Sequence, residues 1–600
     1  MYDLIRKLFS LLPRADRWKL GALLLMMLVG SVLEVVGIGM IPVFISIIAS
    51  PDRVLDVEWL APVFAYLEIE DGGDLLVYGG LLLITVFAVK NAYILAFRYI
   101  EARFIYNRFV TIGSGLFERY MTAPYTFILS RNSSELLRNV TNETKYLAKN
   151  IMAPLLKLGM DVLLITGTVI LLLLVDPWMT LAAIVLFGLA GGGFLKAIRT
   201  RMQRHGKRAQ NDRRMMLQAV GEGIGGIKDI KVLGREKWFS RRFKRYISSY
   251  SKAQIFRQVS SAATKPVLET LSVAGMLLIV MMLFWQGRGL DTIIPLLALF
   301  GAAAMRLLPA VREAVKAINT LRYYAYAIDP VYNDTRYLES VAGPAGTSRK
   351  KGGAEPLPFN REIVFDNVAY SYPDSSLPAV SRISITIPRG SAVGFIGPSG
   401  AGKTTVVDLL LGLLQPEQGR IAVDGLDIRE DLRRWQRNIG YIPQFIFLAD
   451  DTVKRNIAFG LPDEEIDEER LAAAIDAAQL GGTIEQLPKG IDTVIGERGA
   501  RLSGGQRQRI GIARALYGNP SVLIMDEATS ALDNETEKYV IGAIERLKGE
   551  RTIIMIAHRL TTVRNCDRLF RMERGKVVQE GRYEDVVKGD SGAPAVLGSR

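Results

Sequence analysis

Up to Leu308 the chain alternates long apolar runs with strongly charged stretches; beyond that the pattern changes. Apolar runs near the roughly 20 residues that cross about 30 Å of hydrocarbon recur six times, at Leu20–Ile48, Leu75–Phe97, Leu155–Val175, Trp178–Leu195, Leu268–Trp285 and Thr292–Leu308. Each predicts a membrane-crossing helix. At the N-terminus Leu4, Ile5, Leu8 and Leu12 share one helical face beside Arg6 and Lys7, the pattern of a short helix lying at a membrane interface. Within residues 51–71, Val54, Leu55, Trp59, Leu60, Val63, Phe64 and Leu67 predict an amphipathic helix. After the Gly-, Pro- and Lys-rich stretch "ESVAGPAGTSRKKGGAEPLP" the apolar runs shorten to strand length ("IVFDNVAY", "SITIP", "AVGFIG", "VLIMDEA", "TIIMIAH") and alternate with helical segments, which is the signature of an α/β domain. The reading is therefore an all-α six-helix transmembrane domain over 1–339, a linker over 340–357 and an α/β domain over 358–600.

Charge sets the orientation. Arg6, Lys7, Arg14, Arg17 and Lys19 precede the first run, and the strongly basic "KAIRTRMQRHGKRAQNDRR" and "REKWFSRRFKRY" lie between the fourth and fifth. The segment after the first run, "PDRVLDVEWLAPVFAYLEIEDGGD", holds a single arginine among many carboxylates. By the positive-inside tendency both termini and everything after Leu308 face the cytoplasm, and residues 51–71 face outward. The chain has 75 Lys and Arg against 61 Asp and Glu. Such an excess suits nucleic acid in general, but here the basic stretches sit between spans, so nucleic acid is not an expected partner. One cysteine, Cys566, and two histidines leave no internal disulfide and no Cys- or His-rich metal site. The N-terminus lacks the small-residue cleavage site of a secretory signal. Ionisable residues inside apolar spans are costly, which singles out Glu34, Lys90, Asp161, Glu269 and Arg306.

The clearest chemistry lies in "AVGFIGPSGAGKTTVVDLLLGLL": strand, glycine-rich loop and helix in the order of a phosphate-binding loop. Gly397, Gly400 and Gly402, with Ser399 between them, let backbone amides curl around phosphates at a helix N-terminus. Lys403 is placed to reach the β- and γ-phosphates, Thr404 to ligate Mg²⁺ and Thr405 to support the α-phosphate. In "SVLIMDEATSALD" an apolar strand ends in Asp526, placed to hold the Mg²⁺ shell, and Glu527 follows as a general base toward water. In "RLSGGQRQRIGIARAL" the amides of Ser503, Gly504 and Gly505 open a second helix able to meet a γ-phosphate.

This ordered set closely resembles the ATPases of ABC transporters. "LSGGQ" (Leu502–Gln506) is similar to their signature motif, which places Ser503, Gly504, Gly505 and Gln506 at ATP. The resemblance implies that Gln444 in "YIPQ" contacts Mg²⁺ and water, and that His558 in "IAHRL" senses the γ-phosphate. It further implies that Asp533 closes the D-loop and that Tyr372 in "YSYP" stacks on adenine. One phosphate loop with one signature per chain implies a homodimer with two ATP molecules between the copies, each capped by the other's Ser-Gly-Gly turn. ATP and Mg²⁺ are the implied cofactors. The inner loops around "PYTFILSRNSSELL" and "EGIGGIKDIKVLGRE" resemble coupling regions.

Six spans ahead of one ATPase resemble the exporter architecture of that family, in a bacterial inner membrane. "SVLEVVGIGMIPVF", "VKNAYILAF", "GIKDIKVLGRE" and "AAAMRLLPAV" look like the bacterial lipid-linked oligosaccharide flippases, whose resemblance implies an amphiphilic, lipid-linked substrate taken from membrane lipid. Arg306 matches by its "RLLP" setting; Lys90, Arg98, Arg257 and Arg312 are substrate candidates by charge and position. Export of another lipid, a hydrophobic drug or a peptide, or regulation without transport, stay open as alternatives.

Overall fold

A computed structural model of the chain describes residues 2–49, 61–66, 69, 71–263, 265–267, 269–270, 273–275, 277, 281, 290–342, 355–373, 375, 377–527, 542, 546–557 and 559–588. These divide into two compact units, Met1–Ala123 with Ile128–Gly343, and Pro124–Phe127 with Pro344–Arg600.

The first unit is helical: α1 (Tyr2–Leu11), α2 (Arg14–Ala49), α3 (Ala61–Tyr66), α4 (Gly72–Thr122), α5 (Ala153–Val175), α6 (Pro177–Gly225), α7 (Glu236–Ala262), α8 (Leu290–Tyr324) and α9 (Ile328–Ala342). Among the described residues three stretches are long and apolar enough to cross a membrane, Ala15–Ile45, Gly72–Thr122 and Ser133–Val175. The fourth and sixth apolar runs fall within α6 and α8. Most of the fifth, and residues 51–60 of the amphipathic segment, lie outside the described residues; so does most of the linker.

The helices outrun the apolar stretches that predict them. Their ends are set by local chemistry rather than by hydropathy. The Asp71 carboxylate accepts from the Asp74 amide at 2.8 Å to start α4. Asp176 stops α5 and caps α6 by accepting from the Met179 amide at 3.2 Å, with Pro177 in the first turn, where a missing N–H costs nothing. On the N-terminal helix Leu4 and Leu8 are buried, as is Leu12 just after it. Lys7 bonds Asp329 of α9 at 2.8 Å, so protein covers that apolar face rather than lipid.

Between Arg138 and Ala153 the backbone widens into two π-helical turns, Asn139–Glu143 and Leu147–Met152. Beside them the Asp334 carboxylate of α9 accepts from the Tyr120 hydroxyl at 2.5 Å and from the Asn139 amide at 2.9 Å. These two bonds tie α9 to the helical core.

The second unit is α/β. Strands β1 (Glu362–Tyr370), β2 (Val380–Pro388), β4 (Gln418–Val423) and β5 (Leu426–Asp427) form an antiparallel sheet in the order β2-β1-β4-β5. A six-stranded sheet follows the order β10-β9-β3-β8-β7-β6. Its members are β3 (Ala392–Ile396), β6 (Ile439–Ile442), β7 (Val522–Asp526), β8 (Thr552–Ile556), β9 (Arg568–Glu573) and β10 (Lys576–Gly581). All neighbours in it run parallel except β9 and β10. The continuous apolar runs of the sequence follow from this, because a central parallel strand is buried on both faces. Val522 and Ile524 face one core together with Val406 and Leu409, whereas Leu523 and Met525 face a second with Ile510 and Ile512. Helix α10 (Lys403–Leu410) packs in the former and α11 (Gly504–Tyr517) in the latter. Tyr125 is half-buried against the former core.

Candidate functional site

Because β3, β8, β7 and β6 are parallel neighbours, their C-terminal ends share one edge of the sheet, the usual ligand edge of such folds. The phosphate loop follows β3, Gln444 follows β6, and Asp526 ends β7 with Glu527 after it. His558 belongs to the segment after β8 but lies, with Asp533, outside the described residues.

The loop's glycines are dictated by space as much as by torsion. Gly397 has φ +144°, and a Cβ there would lie 2.2 Å from the Met572 carbonyl oxygen. At Gly402, φ is +99° and a Cβ would stand 2.4 Å from the Ala379 carbonyl oxygen. Gly400 has φ +78° with open space around it, so only its torsion demands glycine. Ser399 and Thr404 are exposed at the loop surface, and Thr405 is buried. The Lys403 ammonium is turned inward and donates to the carbonyls of Gly397 at 2.8 Å and Pro398 at 3.0 Å. Burial lowers its pKa, against the opposing pull of Glu527 and Asp526. A polyanion in the loop would restore the charged form that desolvation penalises.

Across the edge, the Gln444 side-chain amide donates to the Glu527 carboxylate at 2.7 Å. Glu527 adopts φ +48° and its own amide donates to the Ile556 carbonyl at 3.0 Å. A left-handed glutamate is uncommon and costs on the order of 1–3 kcal/mol; here the backbone bond to the end of β8 fixes it. Asp526 is buried at the strand end. Thr404, Asp526 and the Gln444 side-chain carbonyl offer oxygen donors, which is the donor chemistry of Mg²⁺. Among the described residues no cluster of three or more His, Cys, Asp or Glu offers an alternative metal site. Tyr372 meets Tyr370 edge-on at 5.2 Å and brings its hydroxyl to 3.4 Å from that of Thr405, beside the start of α10.

The signature turn is built differently. Ser503 caps α11 in a capping box: its hydroxyl accepts from the Gln506 amide at 3.2 Å, and the Gln506 side chain accepts from the Ser503 amide at 2.9 Å. The hydrogen bonds of Ser503 and Gln506 thus stay within their own turn, which leaves the first helical amides, Gly504 and Gly505, to meet an anion. The rest of α11 is anchored elsewhere, with Arg514 donating to the Asn456 carbonyl at 2.8 Å and to the Phe447 carbonyl at 2.7 Å.

The membrane cations do not form one cluster within the chain. Lys90 is 1% exposed and lies 3.2 Å from a Glu34 carboxylate oxygen; Arg306, still partly exposed, lies 3.2 Å from the same atom. Arg98 pairs with Glu101 at 2.8 Å, and Arg312 with Glu313 at 3.5 Å. Arg257 bonds the Gln254 side chain at 2.9 Å and stands over the rings of Tyr323 and Tyr324. Sequence reasoning named Glu34 only as an ionisable residue in a span; that it is the common partner of two candidate cations comes from the structure. The Asp334 junction gave no sequence signal, since Asp334 stands outside any span.

The chain matches the family described as ABC transporter over residues 380–530, and that described as ABC transporter transmembrane region over residues 58–301. It is 32% identical over 476 residues to the ATP-dependent lipid A-core flippase of Cupriavidus metallidurans, covering 79% of this chain and 78% of that protein. With the like-named protein of Methylobacillus flagellatus the identity is 31% over 493 residues, covering 82% and 81%. A solved structure of a bacterial Atm1-family ABC exporter with ATP bound superposes with a TM-score of 0.73 at 23% identity, covering 96% of this chain and 97% of that one.

Proposed function

Because this chain belongs to the ABC transporter family, we propose that it uses ATP to flip an amphiphile with an anionic saccharide head between membrane leaflets. The chain is an exporter embedded in the membrane, and it hydrolyses ATP to drive transport. In our reading the preferred cargo is a lipid-linked oligosaccharide, moved outward across a bacterial inner membrane with the ATPase unit on the cytoplasmic side. One observation carries the choice of an anionic head: Glu34 is shared by Lys90 and Arg306 within the apolar spans. One carboxylate against two cations leaves one positive charge in excess where charge is costly. A pyrophosphate or phosphate head supplies the missing negative charge, while its lipid tail stays in hydrocarbon.

In the ATPase, Gly397 to Thr405 cradle the phosphates and Lys403 exchanges its two carbonyl partners for them. Bound Mg²⁺ would supply charge neutralisation on the phosphates, held by Thr404, Asp526 and the Gln444 carbonyl. Glu527, oriented by Gln444, takes the proton of the attacking water. Tyr372 stacks on adenine, and His558 and Asp533 complete the site. The chain carries one phosphate loop and one signature turn, so Gly504 and Gly505 take the nucleotide held by a second copy's loop and the working unit is a homodimer.

A second reading has its own support. The relatives above are named lipid A-core flippases, and a lipid A-type glycolipid also joins anionic sugars to acyl chains. Liposomes containing the purified protein decide between them. ATP-driven movement of a fluorescent polyprenyl-pyrophosphate saccharide favours the first reading, and movement of a labelled lipid A-core alone favours the second. Movement of neither sinks the anionic-head proposal. In the same liposomes Glu527→Gln should lower ATP turnover by roughly 10²- to 10⁴-fold with nucleotide binding retained; full turnover would remove Glu527 as the base.

A further inference from the structure

Where α6, α7 and the C-terminal end of α8 pass the π-helical stretch, a partly open cavity of about 40 Å³ lies in the helical unit, lined among others by Arg138, Glu143, Tyr146, Arg213, Tyr323 and Tyr324. A single water needs roughly 10–15 Å³ of such space, so the cavity takes a small polyatomic group.

Its walls are charged unevenly. Arg138 lies 3.4 Å from Glu143 and 3.8 Å from Glu135, which offset its charge. Arg213 stands 4.5 Å over the Tyr146 ring, and among the described residues no carboxylate forms an ion pair with it. Asp212, its chain neighbour, is paired with Arg208 at 3.7 Å. A further cation, Arg257, sits behind the rings of Tyr323 and Tyr324 at 5.6 and 5.9 Å. Three guanidiniums, Arg138 and Arg213 in the lining and Arg257 behind it, thus stand against two carboxylates, Glu135 and Glu143.

It also carries an unmet donor. Tyr323 is 4% exposed, and among the described residues its hydroxyl has no hydrogen-bond partner. A buried hydroxyl left unpaired is costly, and such groups usually mark a bound water or ion. Two of its helices pass in close contact. Gly206 of α6 also lines it, and a Cβ at that position would fall 2.5 Å from the Tyr323 carbonyl oxygen. The π-helical turns that carry Glu143 and precede Tyr146 are a geometry that recurs at functional sites.

We propose that this cavity binds a phosphate-type oxyanion between the Arg213 guanidinium and the Tyr323 hydroxyl, as a site separate from both ATP and cargo. A tetrahedral oxyanion suits it because a guanidinium fork grips two of its oxygens, while the phenol donates to a third and the tyrosine rings shield it from water. The phosphate belongs either to a free ion or to the headgroup of an anionic lipid.

The test uses full-length protein carrying Lys403→Ala, which removes phosphate binding at the ATP loop. In detergent at fixed ionic strength it should bind radiolabelled inorganic phosphate saturably, one per chain. Adding Arg213→Gln should weaken binding tenfold or more, the scale expected for a charge-assisted bond; Tyr323→Phe should weaken it less, and Arg213→Lys should keep part of it. If phosphate does not bind, the lipid source is tested in nanodiscs of phosphatidylcholine with phosphatidylglycerol. Retention of phosphatidylglycerol by the parent protein, read by native mass spectrometry, and its loss in Arg213→Gln support the headgroup. Equal behaviour of parent and Arg213→Gln toward both probes, with the variant eluting and melting like the parent, overturns the proposal.

Discussion

Substituting Glu34 with glutamine tests the charge cluster directly. The change keeps the side chain's size and removes the carboxylate that Lys90 and Arg306 share. Lys90 then stands almost fully buried beside Phe87, 4.4 Å from its ring centre, with its carboxylate gone. Breaking a buried ion pair on one side costs about 3–5 kcal/mol, chiefly because the remaining charge is left uncompensated. Arg306 is 43% exposed on its side chain, so its lost contact adds no more than about 1 kcal/mol. For domains of 150–250 residues 1 kcal/mol moves the melting point by about 2–4 °C; at the lower end of that scale Glu34→Gln should melt roughly 6–10 °C below the parent. The assay is thermal melting in nanodiscs, read as protein surviving on size exclusion. Glu34→Gln with Lys90→Met should recover most of the loss, because the buried charge itself is removed. A single variant melting with the parent, or a double variant no better than the single one, would refute the idea that Lys90 is held by Glu34.

Three further outcomes follow. Gly397→Ala should weaken ATP binding at least tenfold in a fluorescent-nucleotide titration, because its Cβ meets the Met572 carbonyl oxygen; Gly400→Ala, with only a torsional penalty of about 1 kcal/mol, should weaken it less. Asp408, on α10, is raised to about 6 by burial and by Asp526. A carboxylate raised on folding loses stability as pH climbs from its unfolded value near 4 to its folded one. Asp408→Asn should therefore raise the melting point at pH 7.5, by an amount worth roughly 1–3 kcal/mol, and change it little near pH 3, where the group is protonated in both states. Ser503→Ala removes a helix cap worth about 0.5–2 kcal/mol; it should impair ATP-dependent cross-linking between copies while leaving nucleotide binding at the phosphate loop intact.

Local chemistry was the part of this molecule that reads directly from sequence. The phosphate loop is legible because its glycines answer to torsion and to immediate backbone neighbours, and because β3, and β7 up to its terminal Asp526, are apolar runs. The parallel sheet is legible for the same reason. What could not be read were partnerships between distant positions. Glu34 meets Lys90 and Arg306 only once α2, α4 and α8 are packed, and no spacing rule links those positions. The two π-helical turns are equally silent, since a one-residue widening leaves the apolar pattern almost unchanged. Apolar runs also underestimated the helices: α4 continues to Thr122, well past Phe97, because membrane hydropathy reports thickness and not where a helix stops.

That continuation makes α4 a lever. Its 51 residues contain no proline, the commonest cause of a sharp kink, and at 1.5 Å per residue they form a rod about 75 Å long. Pivoting such a rod by some 5° about one tip sweeps the other through roughly 6 Å. A slight rearrangement at one extremity is thereby magnified into a stroke as wide as a helical turn is tall.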